Sequence, residues 1–294
     1  MTMTVRTTNA TRRALTFTAL AAPALVLMAV VNAYPVFYAA VQSVHQGNLI
    51  QQGPFVGLEN YGTVLTDPDF WNAARFTAIF TVAGVLGSWV VGYALGLVFR
   101  RYFVGRAALK VLLLLPWIVP VVVTTMSWNW LVATSSSPLP VLFEAVGLED
   151  VLFLADPTLA AVIVCLFKIW ISFPFMFVMM SAALEGIDPT VYEAATLDGA
   201  GRWTVLTAIT LPLTARSVYI SWVLMSMFTI NDFPTIFLLT GGGPVDATTT
   251  LVVLAYDRVF QAFQPGTGVA IAFVMTAALI AISLALFRSI RRVH

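Results

Sequence analysis

The chain has 294 residues, 60% of them hydrophobic and only 10% charged, with a mean hydropathy of +0.90. Soluble proteins carry about 25% charged residues, so a water-solvated globule is excluded, and apolar blocks long enough for the roughly 20 residues of a membrane crossing mark a polytopic membrane protein. A formal net charge of +1 supplies neither a basic field for nucleic acid nor an acidic tail.

Six spanning helices are expected: Ala14 to Val41, Ala74 to Phe99, Ala108 to Val132, Thr158 to Leu184, Leu211 to Thr240 and Thr267 to Phe287. In lipid the backbone must satisfy its own hydrogen bonds, so uninterrupted runs of this length are helical and the fold class is all-α. Arg12, Arg13 and the Ala19, Leu20, Ala21 stretch imitate a secretory signal, but the apolar run continues beyond that site to Val41, and the segment is read as a retained helix. Residues 1–13 and 288–294 are expected to be tails on one membrane domain of residues 14–287, with no linker or internal repeat.

Basic loops are retained on the cytoplasmic side. Twelve of the fifteen Lys and Arg residues fall before helix one, between helices two and three (Arg100, Arg101, Arg106, Lys110), between four and five (Arg202, Arg216) or after six (Arg288, Arg291, Arg292). The alternate loops hold nine of the fourteen acidic residues and only Arg258 of the basic ones, with Arg75 at a helix edge. This predicts that both termini are cytoplasmic.

Helix three carries Pro116 and Pro120, and helix four carries Pro174, the lone cysteine Cys165, Lys168 and Trp170. Cys165 can form no internal disulfide and is read as a small core residue. An isolated charge inside the bilayer costs at least about 2.5 kcal/mol, so Lys168 and Asp232 of helix five are expected to line a cavity or to pair. From the outer helix ends they lie about 15 and 12 Å deep at 1.5 Å per residue, a similar level. Two readings fit equally: a polar translocation pathway shared with Asn231, or a lock between helices four and five. Pro234 is expected to bend helix five beside them. Trp117, Trp128, Trp130, Trp170 and Phe173 offer rings for stacking on a sugar; Trp128 and Trp130 are read as interfacial anchors, and the deeper Trp170 as the better pathway candidate.

The loop from Glu185 to Pro212 has its own punctuation. Asp188 before Pro189 is a helix start that predicts a short helix to Leu197. Gly199 and Gly201 supply a turn, and Trp203 to Thr210 predicts a second short helix before Pro212 opens helix five. Ala194, Ala195, Gly199 and Ala200 leave one face nearly bare, open to close approach by another protein.

Glu193, Ala194, Ala195, Gly199, Ile209, Leu211 and Pro212, at their spacing, resemble the "EAA" motif of permease subunits of binding-protein-dependent ABC importers. Tyr34 and Pro35, the stretch Gly57, Leu58, Asn60, Tyr61, and Leu239 to Pro244 with Thr250, Leu251, Tyr256 and Phe260 resemble the sugar branch, in particular the maltose- and glycerol-phosphate-type partner usually encoded first of a pair. The resemblance implies that residues 185–212, with Glu193, Ala194, Ala195, Asp198, Gly199, Ile209, Leu211 and Pro212, form the coupling element seated on a separate ATPase. It implies as partners a second permease, two ATPase subunits, an extracytoplasmic solute-binding protein, membrane lipid and a sugar, polyol or glycerol-phosphate-like solute. ATP and Mg would then be bound by the ATPases, with no cofactor on this chain.

The residues agree with that division of labour: no G-x-x-x-x-G-K-[ST] loop is present, and Gly241 to Gly243, followed by Pro244, reads as a turn. No catalytic or metal-binding residue is expected, since H-E-x-x-H and G-x-S-x-G motifs are missing and Asp232 lacks a second aspartate for a dyad. His45 and His294 lie outside the spans. The alternatives are an ion-coupled secondary transporter, whose paired broken helices are not recognisable, and a purely structural subunit.

Overall fold

The computed structural model describes residues 4–148 and 151–291, so the acidic Glu149 and Asp150 and the expected tail residues Arg292 and His294 lie outside the described residues. Helix α1 runs from Thr4 to Ser43, starting ahead of the expected Ala14. A short antiparallel hairpin follows, β1 (His45–Gly47) and β2 (Gln52–Phe55), with His45 opposite Phe55. Then come α2 (Glu59–Thr66), α3 (Pro68–Phe99), α4 (Arg106–Ile118), α5 (Val121–Val132), α6 (Pro138–Ala145), α7 (Pro157–Glu185) and α8 (Pro189–Leu197). The remaining elements are α9 (Arg202–Ile230), α10 (Phe233–Leu239), α11 (Leu251–Tyr256) and α12 (Pro265–Arg291). Five helices are long and apolar enough to cross a membrane, and α4 with α5 makes a sixth, bent span. The expected all-α class therefore holds, with the short hairpin as its small exception.

The start signals lie in the sequence itself. Asp67, Asp156 and Asp188 each precede a proline in the first turn, and each carboxylate accepts the amide N–H of the residue two positions on. The aspartate supplies the acceptor that the free amides need, and the proline has no N–H to leave unpaired.

Three expectations about the spans are corrected. Helix three is not one rod from Ala108 to Val132: α4 and α5 meet at 91°. Val119 is extended (ψ 134°), as the ring of Pro120 requires of the residue before it, whereas Pro116 is accommodated inside α4. Helix five does not begin at Leu211 after a separate short helix, because α9 runs unbroken from Arg202. A wide π turn at Val205–Thr210 precedes Pro212, and this looser turn relieves the clash between the proline ring and the preceding turn. Helix five also does not continue to Thr240 around a bend at Pro234. It stops at Ile230 and restarts as α10, where Pro234 occupies the first turn and needs no donor.

The frame of the bundle is α3 packed along α7. A Cβ placed on Gly92 would lie 2.6 Å from the Phe177 amide nitrogen, and one on Gly84 would lie 2.9 Å from Cγ of Lys168. Glycine at these positions lets the two backbones approach, which in lipid is where dispersion packing comes from. Phe76, Phe80, Phe167 and Ile236 form a core at one end, and Tyr93, Met180, Leu184 and Val218 form one at the other. Helix α1 touches the bundle along α12 and the hairpin, yet none of its most apolar stretch is buried, and among its described side chains those fully buried are Gln42 and Ser43 at the hairpin end.

Ion pairs identify which loops share an end. Arg106 Nη2 and Lys110 Nζ reach Glu185 Oε1 at 3.3 and 3.6 Å, joining the start of α4 to the end of α7 at a basic end. Arg258 Nη2 reaches Asp67 Oδ2 at 2.7 Å and Asp69 Oδ2 at 3.0 Å at the opposite, acidic end.

Candidate functional site

The first candidate region is the knuckle formed by α8 and the start of α9 at the basic end. Asp188 Oδ1 accepts the Thr190 amide at 2.9 Å and its hydroxyl at 2.8 Å, which holds the carboxyl below the usual carboxylate range. Helix α8 closes at Asp198, and Gly199 turns the chain with φ +74°, a left-handed conformation that favours glycine. Nothing lies within 4 Å of where a Gly199 side chain would begin. Ala195 is buried and seats the helix on the bundle, while Glu193, Ala194, Asp198 and Pro212 are exposed and Ile209 and Leu211 are half-buried.

The knuckle is braced from beneath by contacts that sequence reasoning missed. The Arg100 guanidinium lies 3.9 Å from the centre of the Tyr192 ring, and the Tyr192 hydroxyl is 3.3 Å from Thr210 Oγ1. These contacts tie α8 to the end of α3 and to α9, while the Glu185 pairs tie the end of α7, just ahead of α8, to α4. The only available signal was the clustering of arginines at 100–106, which charge counting absorbed into orientation. Alongside, Leu197 (89% exposed) and Trp203 (75% exposed) stand clear of the bundle. Two large apolar side chains held outward on a rigid, braced turn form a surface that dewets readily against another protein.

The second region lies inside the bundle. Lys168 Nζ donates to Asp232 Oδ2 at 2.7 Å, with side-chain exposures of 6% and 11%. Asp232 is also the cap of α10, its Oδ1 accepting the Thr235 amide at 3.2 Å and its Oδ2 the Thr235 hydroxyl at 2.8 Å. Lys168 additionally lies 5.8 Å from the centre of the Phe80 ring. Removing one member of a buried pair costs about 3–5 kcal/mol because the other charge is left uncompensated.

The other two mid-span candidates are not gathered there. Asn231 is exposed and donates its side-chain amide to the Met227 carbonyl at 2.9 Å. Trp170 packs in an aromatic group with Trp128 (5.6 Å between centroids) and Phe167 (6.1 Å). Trp128 is half-buried in that group, whereas Trp130 is exposed. Trp117, against Phe175, is also exposed, and Cys165 is half-buried beside the core containing Phe167.

At the acidic end, Gly242 (φ +91°) makes the expected turn, where any side chain would meet Thr249 Oγ1. A cavity of about 350 Å³ opens beside it, lined by Asp69, Asp246, Asp257, Arg258 and Gln261 among others. Burial, and then the charge of Asp246, push the Asp257 carboxyl up. Asn60 Nδ2 donates to the Ser43 and His45 carbonyls, and the Tyr61 hydroxyl donates to Ser43, so the Gly57 to Tyr61 stretch staples the end of α1. Among the described residues no cluster of three or more His, Cys, Asp or Glu side chains is arranged to hold a metal ion.

Comparison with known proteins places this architecture. The permease SmoG of the sulfoquinovosyl glycerol transport system of Agrobacterium fabrum is 30% identical over 92% of this chain and 89% of its own length. The permease SugA of the trehalose transport system of Mycobacterium tuberculosis is 31% identical over 86% of this chain and 81% of its own. Among solved structures, a bacterial ABC transporter involved in the import of the acidic polysaccharide alginate superposes with a TM-score of 0.82 at 22% identity, covering 98% of this chain and 99% of that one. A bacterial alginate ABC transporter in complex with alginate pentasaccharide-bound periplasmic protein gives the same score at 20% identity over 96% of each chain. The family described as "Binding-protein-dependent transport system inner membrane component" matches residues 84–294, well over half of the chain. The chain therefore belongs to the family of inner membrane components of binding-protein-dependent transport systems, and is a multi-pass transport permease.

Proposed function

We propose that this chain is one of two membrane-spanning subunits of an ATP-driven importer, carrying a sugar or sugar-like solute delivered by an extracytoplasmic binding protein across a bacterial or archaeal plasma membrane. The observation that carries the reading is the braced knuckle of residues 188–204, whose exposed Ala194, Gly199, Leu197 and Trp203 offer a shallow apolar surface to a partner. In this reading the basic end is cytoplasmic, and a separate ATPase subunit seats on the knuckle. Its closure around ATP moves α8; Arg100 passes the motion to α3, and Glu185, at the end of α7 just ahead of α8, passes it through Arg106 and Lys110 to α4. Hydrolysis stays on the ATPases, since this sequence has no phosphate-binding loop of its own.

The second permease is supported by α1. A spanning helix with no buried residue in its apolar stretch gains little packing within its own chain, and a companion subunit gives it a surface. The relatives named for sulfoquinovosyl glycerol and trehalose transport support a glycosidic solute. The ion-coupled alternative draws on the broken helix five and the Lys168–Asp232 pair, but it leaves the knuckle without a task.

The test is reconstitution in proteoliposomes with candidate ATPase, companion permease and binding protein. Uptake that requires all of them and enclosed ATP is expected. Uptake by the chain alone, driven by a proton or sodium gradient, would overturn the proposal.

A further inference from the structure

Arg216 lies within α9, yet among the described residues no carboxylate or other acceptor meets its guanidinium. It is exposed and lines one end of a groove of about 560 Å³ between α9 and α12. The walls of the groove include Ile220, Leu224 and Met227 of α9 and Ile280 and Leu284 of α12, all exposed within the chain. On α9 these side chains recur at helical spacing from Arg216, so the charge and the apolar strip share one face.

Arg288 completes the pattern. One turn beyond Leu284 it falls on the same face of α12, and it too is exposed and without a partner among the described residues. The two helices run in opposite directions, α9 leaving the basic end and α12 returning to it. Arg216 lies about 16 Å along α9 from Met227, and Arg288 about 12 Å along α12 from Ile280, so both guanidiniums stand at the basic-end mouth of the groove. A charge within a span is costly unless it is paired, so these arginines call for an anion from outside the chain.

The walls indicate its carrier. Helices that pack in a membrane approach through small residues, as α3 and α7 do at Gly84 and Gly92. This groove offers only Ser283 of that kind, and its long aliphatic side chains hold a neighbouring helix off. A flexible acyl chain fits between such walls, and a phosphodiester accepts two parallel N–H bonds from a guanidinium.

We propose that the α9–α12 groove binds an anionic phospholipid from the leaflet at the basic end. Arg216 and Arg288 hold its phosphate, and an acyl chain lies between α9 and α12 toward Met227. The importer reading makes that leaflet the cytoplasmic one; the site itself stands without it.

The experiment titrates the full detergent-solubilised chain with phosphatidylglycerol or with phosphatidylcholine of the same acyl chains, and counts bound lipid by native mass spectrometry. Phosphatidylglycerol is expected to bind about 30-fold more tightly, the discrimination that two arginines near a membrane surface supply. Arg216→Gln and Arg288→Gln are each expected to cut that preference about five-fold, and the double variant to abolish it. Equal affinity for the two lipids in the unmodified chain, or an undiminished preference in the double variant, overturns the proposal.

A phosphatidylglycerol carrying a photoactivatable group in its acyl chain gives a readout that needs no variant. Cross-links are expected within residues 220–227 and 279–284, and cross-links confined to other helices overturn the site. The same labelling of the complex with its companion permease separates the possible occupants. Labelling that persists supports the lipid; labelling that disappears on assembly makes the groove a subunit interface and overturns the proposal. Failure of the importer reading is recognised separately, as a complex with no ATP-dependent uptake, and leaves the lipid measurements as they are.

Discussion

Gly199 separates what the fold needs from what a partner needs. Its φ of +74° disfavours any residue with a Cβ, at a cost of roughly 1–2 kcal/mol for most L-residues and less for asparagine. No atom of the chain lies within 4 Å of the Cβ position, so side-chain size adds nothing to that cost within the chain itself. Gly199→Asn and Gly199→Trp are therefore expected to insert normally and to melt within about 1 kcal/mol of each other in detergent. They should diverge once the ATPase is present. An indole wedged into a close-packed contact is expected to remove about 2–3 kcal/mol of docking, or about 30–150-fold in Kd. The assay is titration of the immobilised permease with ATPase, followed by uptake in proteoliposomes. Equal ATPase affinity and equal uptake for the Trp and Asn variants would refute the docking surface.

Glu193→Lys, at an exposed position of α8, is expected to leave insertion intact while ATP hydrolysis proceeds without matching uptake, measured as solute moved per ATP. Gly92→Val drives a side chain against the Phe177 backbone and should destabilise the solubilised chain by about 1–3 kcal/mol, whereas Gly62→Ala, with open space around it, should not; thermal unfolding compares the two. Asp257 carries a raised carboxyl, so the folded chain holds that proton more tightly than the unfolded one. Stability is then lost as pH rises from the ordinary carboxylate range through the raised value, and Asp257→Asn should raise the melting point at neutral pH but not at pH about 3, where the carboxyl is protonated in both states. Asp188 has the opposite sign: its lowered carboxyl keeps capping α8 above the ordinary carboxylate range and fails only as pH drops through the lowered value. Asp188→Ala should accordingly speed hydrogen exchange at the Thr190 amide at neutral pH.

Much of this was legible because the relevant signals are local. Asp188 followed by Pro189 specifies a helix start with no reference to the rest of the chain, and α8 begins and ends as expected. Lys168 and Asp232 could be matched in depth because a span converts residue number into height, and two unlike charges at one height have few other partners. What the sequence concealed depends on choices among residues of the same kind. Pro116, Pro120, Pro174, Pro212 and Pro234 look alike on paper, yet Pro116 and Pro174 sit inside helices while Pro120 and Pro234 stand at breaks. Pro212 is absorbed by a π turn that no propensity announces. Trp170 had the right depth for a pathway residue, but rotation about the helix axis turned it toward Trp128. The Arg100–Tyr192 contact joins residues far apart in the chain, and composition carries no trace of it.

The glycine-lined seam between α3 and α7 carries an implication for how such a protein diversifies. A joint with no slack fixes the two rods as a single chassis, so shape change is pushed outward to the interruptions at 119–120 and 231–232 and to the loosened turn at 205–210. Lineages adopting new cargo would then be free to rewrite the segments around those interruptions, while the seam tolerates almost no substitution.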